Sequence, residues 1–206
     1  MLSIIIASGG WVLFGLLLLS LFGLTVTIER CWRLLPLRAR FLSHLRRCES
    51  VLPEHGPQAA IAALEDHEDA MARMLRTALG QSQRGPDAVR ALAMDIAQQE
   101  VPGIERGLGA LAMVAQIAPL LGLLGTVVGL MEAFESAQTA DRVTTALLSG
   151  GIYKALGTTA VGLSVAIPAW IAYGLLNGVA GRTIEMLAGA ANEVPVLLPD
   201  DTEGQR

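Results

Sequence analysis

Three stretches free of charged residues, Met1 to Ile28, Gly107 to Met131 and Ala155 to Gly181, constrain this chain more than any other feature. Each is long enough to cross the hydrocarbon core of a bilayer as a helix, which takes about 20 apolar residues. Hydrophobic residues make up 52% of the 206, and they are concentrated in these stretches. That concentration excludes an ordinary water-soluble domain. The expected fold is all-α: a multi-pass membrane protein with transmembrane helices at residues 1–29, 107–134 and 147–181. Residues 30–106 form a helical cytoplasmic region, 135–146 a short periplasmic link and 182–206 a cytoplasmic tail.

The formal net charge of -4 hides an asymmetry that sets the orientation. Arg30, Arg33, Arg38, Arg40, Arg46 and Arg47 follow the first stretch, and no Lys or Arg precedes it. By the positive-inside rule the segment after the first span is cytoplasmic, so three spans leave the N-terminus outside and the C-terminus inside. The outer link fits, with Arg142 set against Glu132, Glu135 and Asp141. A topology anchor accounts for the arginines without further assumptions, the functional alternative being a lipid headgroup site. The first stretch lacks a basic leading segment and runs into Glu29-Arg30 without a small-residue cleavage site, so it is expected to be retained.

Between the first two spans the composition is helix-forming, with breaks expected at Pro36, Pro53 to Pro57, Gly85-Pro86 and Pro102. From Gln58 to Leu79 the residues Ile61, Leu64, Met71, Met74, Leu75 and Leu79 recur mostly at three or four, as do Val89, Leu92, Ala93 and Ile96 further on. This predicts amphipathic helices packed into a bundle. Cys31 and Cys48 read as reduced structural thiols. His44, His55 and His67 are scattered, and the run Glu65, Asp66, His67, Glu68, Asp69 reads as a solvated helix face. No metal, cofactor or nucleic-acid partner is expected. The polar end from Pro195 to Arg206 is expected to fray.

Spans two and three carry the chemistry. Pro119, Gly122, Thr126 and Gly129 are spaced to fall on one helical face, with Gly125 and Gly129 as a GxxxG pair beside it. In span three Ala155, Thr159, Gly162 and Ala166 form one stripe, and Gly174 with Gly178 forms a second GxxxG. Pro168 joins these as a helix-packing position. Small residues let backbones approach closely, and a threonine in such a face either bonds back to its own helix or offers a hydroxyl to a neighbour. No acid lies within either apolar stretch. Lys154, the only charge between Arg142 and Arg182, must snorkel outward or meet a carboxylate.

The segment APLLGLLGTVVGLMEAF (Ala118 to Phe134), followed by GIYKALGTTAVGLSVAIPAW (Gly151 to Trp170), closely resembles the ExbB/TolQ/MotA family of proton-channel motor subunits, ExbB most of all. The triplet Ile28 to Arg30 and the length of the cytoplasmic segment are similar too, so the resemblance covers nearly the whole chain. It implies a homopentamer enclosing a smaller single-span partner of the ExbD or TolR type, which supplies an intramembrane aspartate. It also implies coupling to a TonB- or TolA-like protein, with TonB-energised import favoured over Tol-type envelope maintenance. The family's pore threonines carry over to Thr126 and Thr159. Two positions depart: Lys154 stands where the family commonly has glutamate, and Thr158 where the best-known ExbB chains have alanine. Thr158 is expected to extend the polar stripe, and Lys154 to pair with a carboxylate of the partner or of Glu132, or to reach solvent.

A non-conducting scaffold would need the glycine faces without the hydroxyls. A solute transporter would need broken helices and inverted repeats, which the sequence lacks. No nucleophile, base and orienting group converge on a face, so an enzyme is not expected.

Overall fold

In the computed structural model, residues 10–139 and 145–197 are described. Residues 1–9 of the first stretch, Asp141 and Arg142 of the link, and the tail beyond residue 197 lie outside them. The described chain is helical, with no strand: α1 (Gly10–Ala62), α2 (Ala70–Leu79), α3 (Pro86–Glu105), α4 (Leu108–Thr139) and α5 (Thr145–Glu193), with short 3-10 turns at Ser82–Arg84 and Val194–Leu197. Three helices are long and apolar enough to cross a membrane. The contacts divide the chain into two units, residues 1–30 with 107–176 and residues 31–106 with 177–206.

The first unit is built inside out compared with a soluble domain. Its buried residues are mostly small, and a core of Val12, Leu16, Ala118 and Ala166 is flanked by Leu19, Leu121 and Val165. The bulky apolar side chains point outward instead, among them Phe14, Leu17, Leu21, Leu120, Leu123, Ile167 and Leu175. Such a surface is stable only against hydrocarbon or other apolar helices.

Arg30 and Gly107 form a tight joint in this unit. Arg30 is buried and lies 3.9 Å from the Glu29 carboxylate. Gly107 has φ 81° just ahead of α4, and a Cβ there would lie 2.8 Å from Arg30 Nε. The positive φ favours glycine there, and a Cβ would also press on the Arg30 guanidinium.

The second unit is an amphipathic bundle with its own core. Phe41, Leu52, Leu64, Met71, Met74, Leu75, Leu79, Val89, Ala93 and Leu187 are buried in it. Helix α2 packs on α3, and Arg73 clasps Glu100 through Nη2, 2.7 Å from each carboxylate oxygen. Arg90 Nε donates to Asn192 Oδ1 at 3.1 Å, tying α3 to the end of α5.

Several expected features of this region are corrected. Pro36 and Pro102 do not break their helices. A mid-helix proline costs about 3 kcal/mol, but buried residues on both sides of each, Leu34 with Phe41 and Ala97 with Ile104, hold the helix to its course. The break near Pro53 to Pro57 falls on Gly56, at φ 76°. The helix expected from Gln58 to Leu79 is interrupted, because the acidic run is a turn and not a helix face. Asp69 ends that turn as the N-cap of α2, its Oδ1 accepting the Ala72 N–H at 3.0 Å. Its Oδ2 lies 2.6 Å from His44 Nε2, and the His67 ring sits 4.5 Å from that of His44, so two histidines that look scattered in sequence meet. Val194–Leu197 forms a 3-10 turn with Val194 buried, so the start of the expected frayed tail is ordered.

Burial, with a smaller contribution from Glu49, pushes the Cys48 thiol up to about 11 from an ordinary 9.0. The neutral thiol's contribution to stability is therefore complete below pH 9 and is lost as pH rises between 9 and about 11. Two outcomes follow. At pH 8 the native Cys48 alkylates roughly a hundredfold more slowly than in the unfolded chain; equal rates in a mass-spectrometric time course would contradict the burial. Gly107→Ala lowers stability by about 1–3 kcal/mol, read as an earlier thermal unfolding midpoint in detergent, whereas an unchanged midpoint would show that the joint is dispensable.

Candidate functional site

Helices α4 and α5 meet along a seam of glycine and alanine. A Cβ on Gly162 would lie 2.6 Å from the Ala118 carbonyl oxygen, and one on Gly122 would lie 3.0 Å from both Thr158 O and Thr159 Cα. Gly129 faces Ala155 at 3.0 Å by the same measure, and Gly151 abuts Ala133. Contacts that climb α4 descend α5, so the two helices pack antiparallel with their backbones almost touching. A glycine on at least one side of each contact permits this.

Three hydroxyls cluster on this seam. Thr126 Oγ1 lies 3.2 Å from Gly122 O on its own helix and 3.2 Å from Ala155 O across the seam, and it is hydrogen-bonded to Thr159 Oγ1. Thr159 Oγ1 lies 3.0 Å from Gly122 O. Thr158 Oγ1 lies 2.7 Å from Ala155 O and 3.2 Å from Gly122 O. Thr25, Thr27 and Ser164 behave differently: each donates only to the carbonyl four residues earlier on its own helix. Bonding within a single helix is the usual fate of a hydroxyl in an apolar helix. Reaching across is the exception, and among the described residues of the spans it is confined to the threonines of the seam.

The three differ in access. Thr158 is buried at 6% exposure against α1, where a Cβ on Gly125 would meet its Oγ1 at 2.6 Å and Val12 Cγ1 at 3.1 Å. Thr126 and Thr159 are half-buried. Thr158 approaches the same Gly122 and Ala155 carbonyls as the pair, from a more buried position. Lys154 is exposed, one turn along α5 from Thr158, and Glu132 is half-buried. Among the described residues neither makes an ion pair.

The remaining expected packing positions divide. Pro119 is half-buried within α4, and Pro168 lies exposed within α5 at the edge of a cavity of about 190 Å³ that also takes in Ser20, Thr27 and Ser164. Among the described residues, no neighbouring helix comes within 4 Å of a would-be Cβ on Gly174 or Gly178, so this GxxxG is not used in the packing described. Sequence reading missed Gly151 and the Arg30–Gly107 joint. Gly151 belongs to the same spacing of four as Ala155 and Thr159, which could have revealed it; a contact between residues 77 positions apart carries no such periodicity.

The described residues offer no group of three or more His, Cys, Asp or Glu side chains placed to hold a metal ion. The seam can align hydroxyls and carbonyl dipoles, and among its described residues it brings no titrating group of its own.

Comparison with known proteins agrees with this chemistry. Residues 66–188 match the model of the MotA/TolQ/ExbB proton channel family. A biopolymer transport protein of Synechocystis, ExbB-like 1, is 31% identical over 200 residues, covering 92% of this chain and 76% of its own length. TolQ of the Tol-Pal system in Pseudomonas aeruginosa is 42% identical over 109 residues, and the biopolymer transport protein exbB1 of Vibrio cholerae 40% over 102. These two matches cover 50% and 49% of this chain, and each spans 45% of the relative. With the family match running through α2, α3, α4 and most of α5, the chain belongs to the MotA/TolQ/ExbB proton channel family.

Proposed function

We propose that this chain is the channel subunit of an inner-membrane motor in which protons pass along the α4–α5 seam and drive a conformational cycle. The observation that carries the reading is the cross-seam bonding of the half-buried Thr126 and Thr159, where Thr25, Thr27 and Ser164 bond only to their own helix. The N-terminus and the α4–α5 link lie outside, and the arginine-rich segment lies in the cytoplasm with the C-terminus.

A proton crossing hydrocarbon needs a titratable stop, and the described seam has none. A second subunit supplies it: a single-span protein of the ExbD or TolR type whose intramembrane aspartate sits against Thr126 and Thr159, inside a ring of copies of this chain, five by family resemblance. One charge moved through 100 mV releases about 2.3 kcal/mol, so a few protons per step suffice to drive helices past one another. The work passes to a TonB-like protein that energises outer-membrane import. Matches to both ExbB and TolQ proteins leave a TolA-like protein and envelope maintenance as the second reading.

Replacing both Thr126 and Thr159 by valine keeps the shape and removes the hydroxyls. Proton flux through the reconstituted complex then falls by about tenfold or more, the effect of losing hydrogen bonds to a charged group, while co-purification of the partner is unchanged. Full flux in the double variant would favour a passive scaffold instead. Lys154→Met reduces partner co-purification where the lysine pairs with a partner carboxylate; unchanged co-purification and flux would leave it as a snorkelling side chain.

A further inference from the structure

We infer that Thr158 is a positioning residue which keeps the Thr126 and Thr159 hydroxyls bonded to each other. The inference follows from counting donors against acceptors on the seam. The carbonyls of Gly122 and Ala155 lie within regular helix, so each already accepts one backbone N–H, from Thr126 and Thr159 respectively, and keeps one lone pair. Three hydroxyl protons compete for those two lone pairs. Thr158 makes the shortest approach of any hydroxyl to either carbonyl, 2.7 Å to Ala155 O, and takes that acceptor.

The Thr126–Thr159 pair is left with the Gly122 carbonyl, at 3.2 Å and 3.0 Å. One of the two donates to it, and the other has no nearer acceptor than its neighbour's hydroxyl oxygen, where the pair is in contact. The chain of donors runs Thr126 to Thr159 to Gly122 O, or Thr159 to Thr126 to Gly122 O. Either way one proton is shared between the hydroxyls, and reversing its direction needs only rotation of two hydroxyls. Without the Thr158 hydroxyl, Thr126 gains the Ala155 carbonyl at 3.2 Å, each member of the pair has its own acceptor, and the bond between them is released.

Gly125 is part of the same device. Its missing Cβ leaves the space that Thr158 Oγ1 occupies, so the GxxxG of α4 houses a hydroxyl as well as a close backbone contact. Thr158 acts from the inner side of the seam through the pair and need not meet the proton itself.

The consequence for conduction rests on the function proposed above; the hydrogen-bond arrangement does not. The test compares wild-type chain with Thr158→Ser, Thr158→Val and Thr158→Ala, threonine-labelled and reconstituted in bilayers, by proton-detected solid-state NMR. A hydroxyl proton correlating with the Cβ of both Thr126 and Thr159 is expected in wild type and in Thr158→Ser. It is lost in Thr158→Val and in Thr158→Ala, the latter leaving space where valine adds a methyl. Persistence of that correlation in the alanine variant overturns the inference, whatever the flux. In the reconstituted complex, flux falls about fivefold in the valine variant, matching loss of one neutral hydrogen bond, and serine restores it. Absence of flux in the wild-type complex would overturn the channel reading while the NMR comparison still decides the role of Thr158.

Discussion

The near-contact of the α4 and α5 backbones at Gly122 and Gly162 is the constraint from which the rest follows. A single methyl on Gly162 would meet the Ala118 carbonyl oxygen at 2.6 Å. At such separation a threonine hydroxyl on one helix reaches carbonyls of the other without a long side chain. Widening the seam by the width of one methyl would return Thr126 and Thr159 to their own helices, as with Thr25 and Thr27. Packing and chemistry are therefore one requirement here, because glycines that appear to serve only helix association also set the reach of the hydroxyls. Association inside a bilayer gains little from the hydrophobic effect, since lipid tails are as apolar as leucine, so close packing is also what holds the pair together.

The spans and their small-residue faces were legible because both follow from local periodicity. Thr126, Gly122, Thr159 and Gly162 fall on two stripes that can be drawn from spacing alone, and the structure sets these stripes against each other. Spacing could not say on which side of the seam Thr158 lies, since a residue next to Thr159 is turned about 100° around the helix and its neighbour depends on α1. The bundle of the second unit was legible in its core residues and less so in its helix ends. Met71, Met74, Leu75 and Leu79 are buried as their periodicity implies. The acidic run read as a helix face is a turn because Asp69 bonds the α2 backbone and His44 together, a long-range contact with no local signature. Pro36 and Pro102 misled for the opposite reason: a real local penalty was outweighed by tertiary burial on both sides.

Charge is distributed as a channel wall would need and as a self-sufficient pump would not. The described seam is free of ionisable groups, while Glu132 and Lys154 stand toward its end at the α4–α5 link and six arginines follow the first span. A low-dielectric path with hydroxyls and carbonyl dipoles lowers the cost of a charge passing by, but it cannot itself store a proton between steps. The family to which the chain belongs makes proton conduction the natural use of such a wall, and the function proposed above rests the proton on a carboxylate of a second subunit.

Proton uptake into potassium-loaded proteoliposomes on imposing a membrane potential with valinomycin tests that central claim most directly. The chain alone should leave the lipid's background proton leak unchanged, and the complex with the proposed single-span partner should raise it, with the rise lost when that partner's intramembrane carboxylate is neutralised. Conduction by the chain alone, at the rate of the complex, would contradict the account.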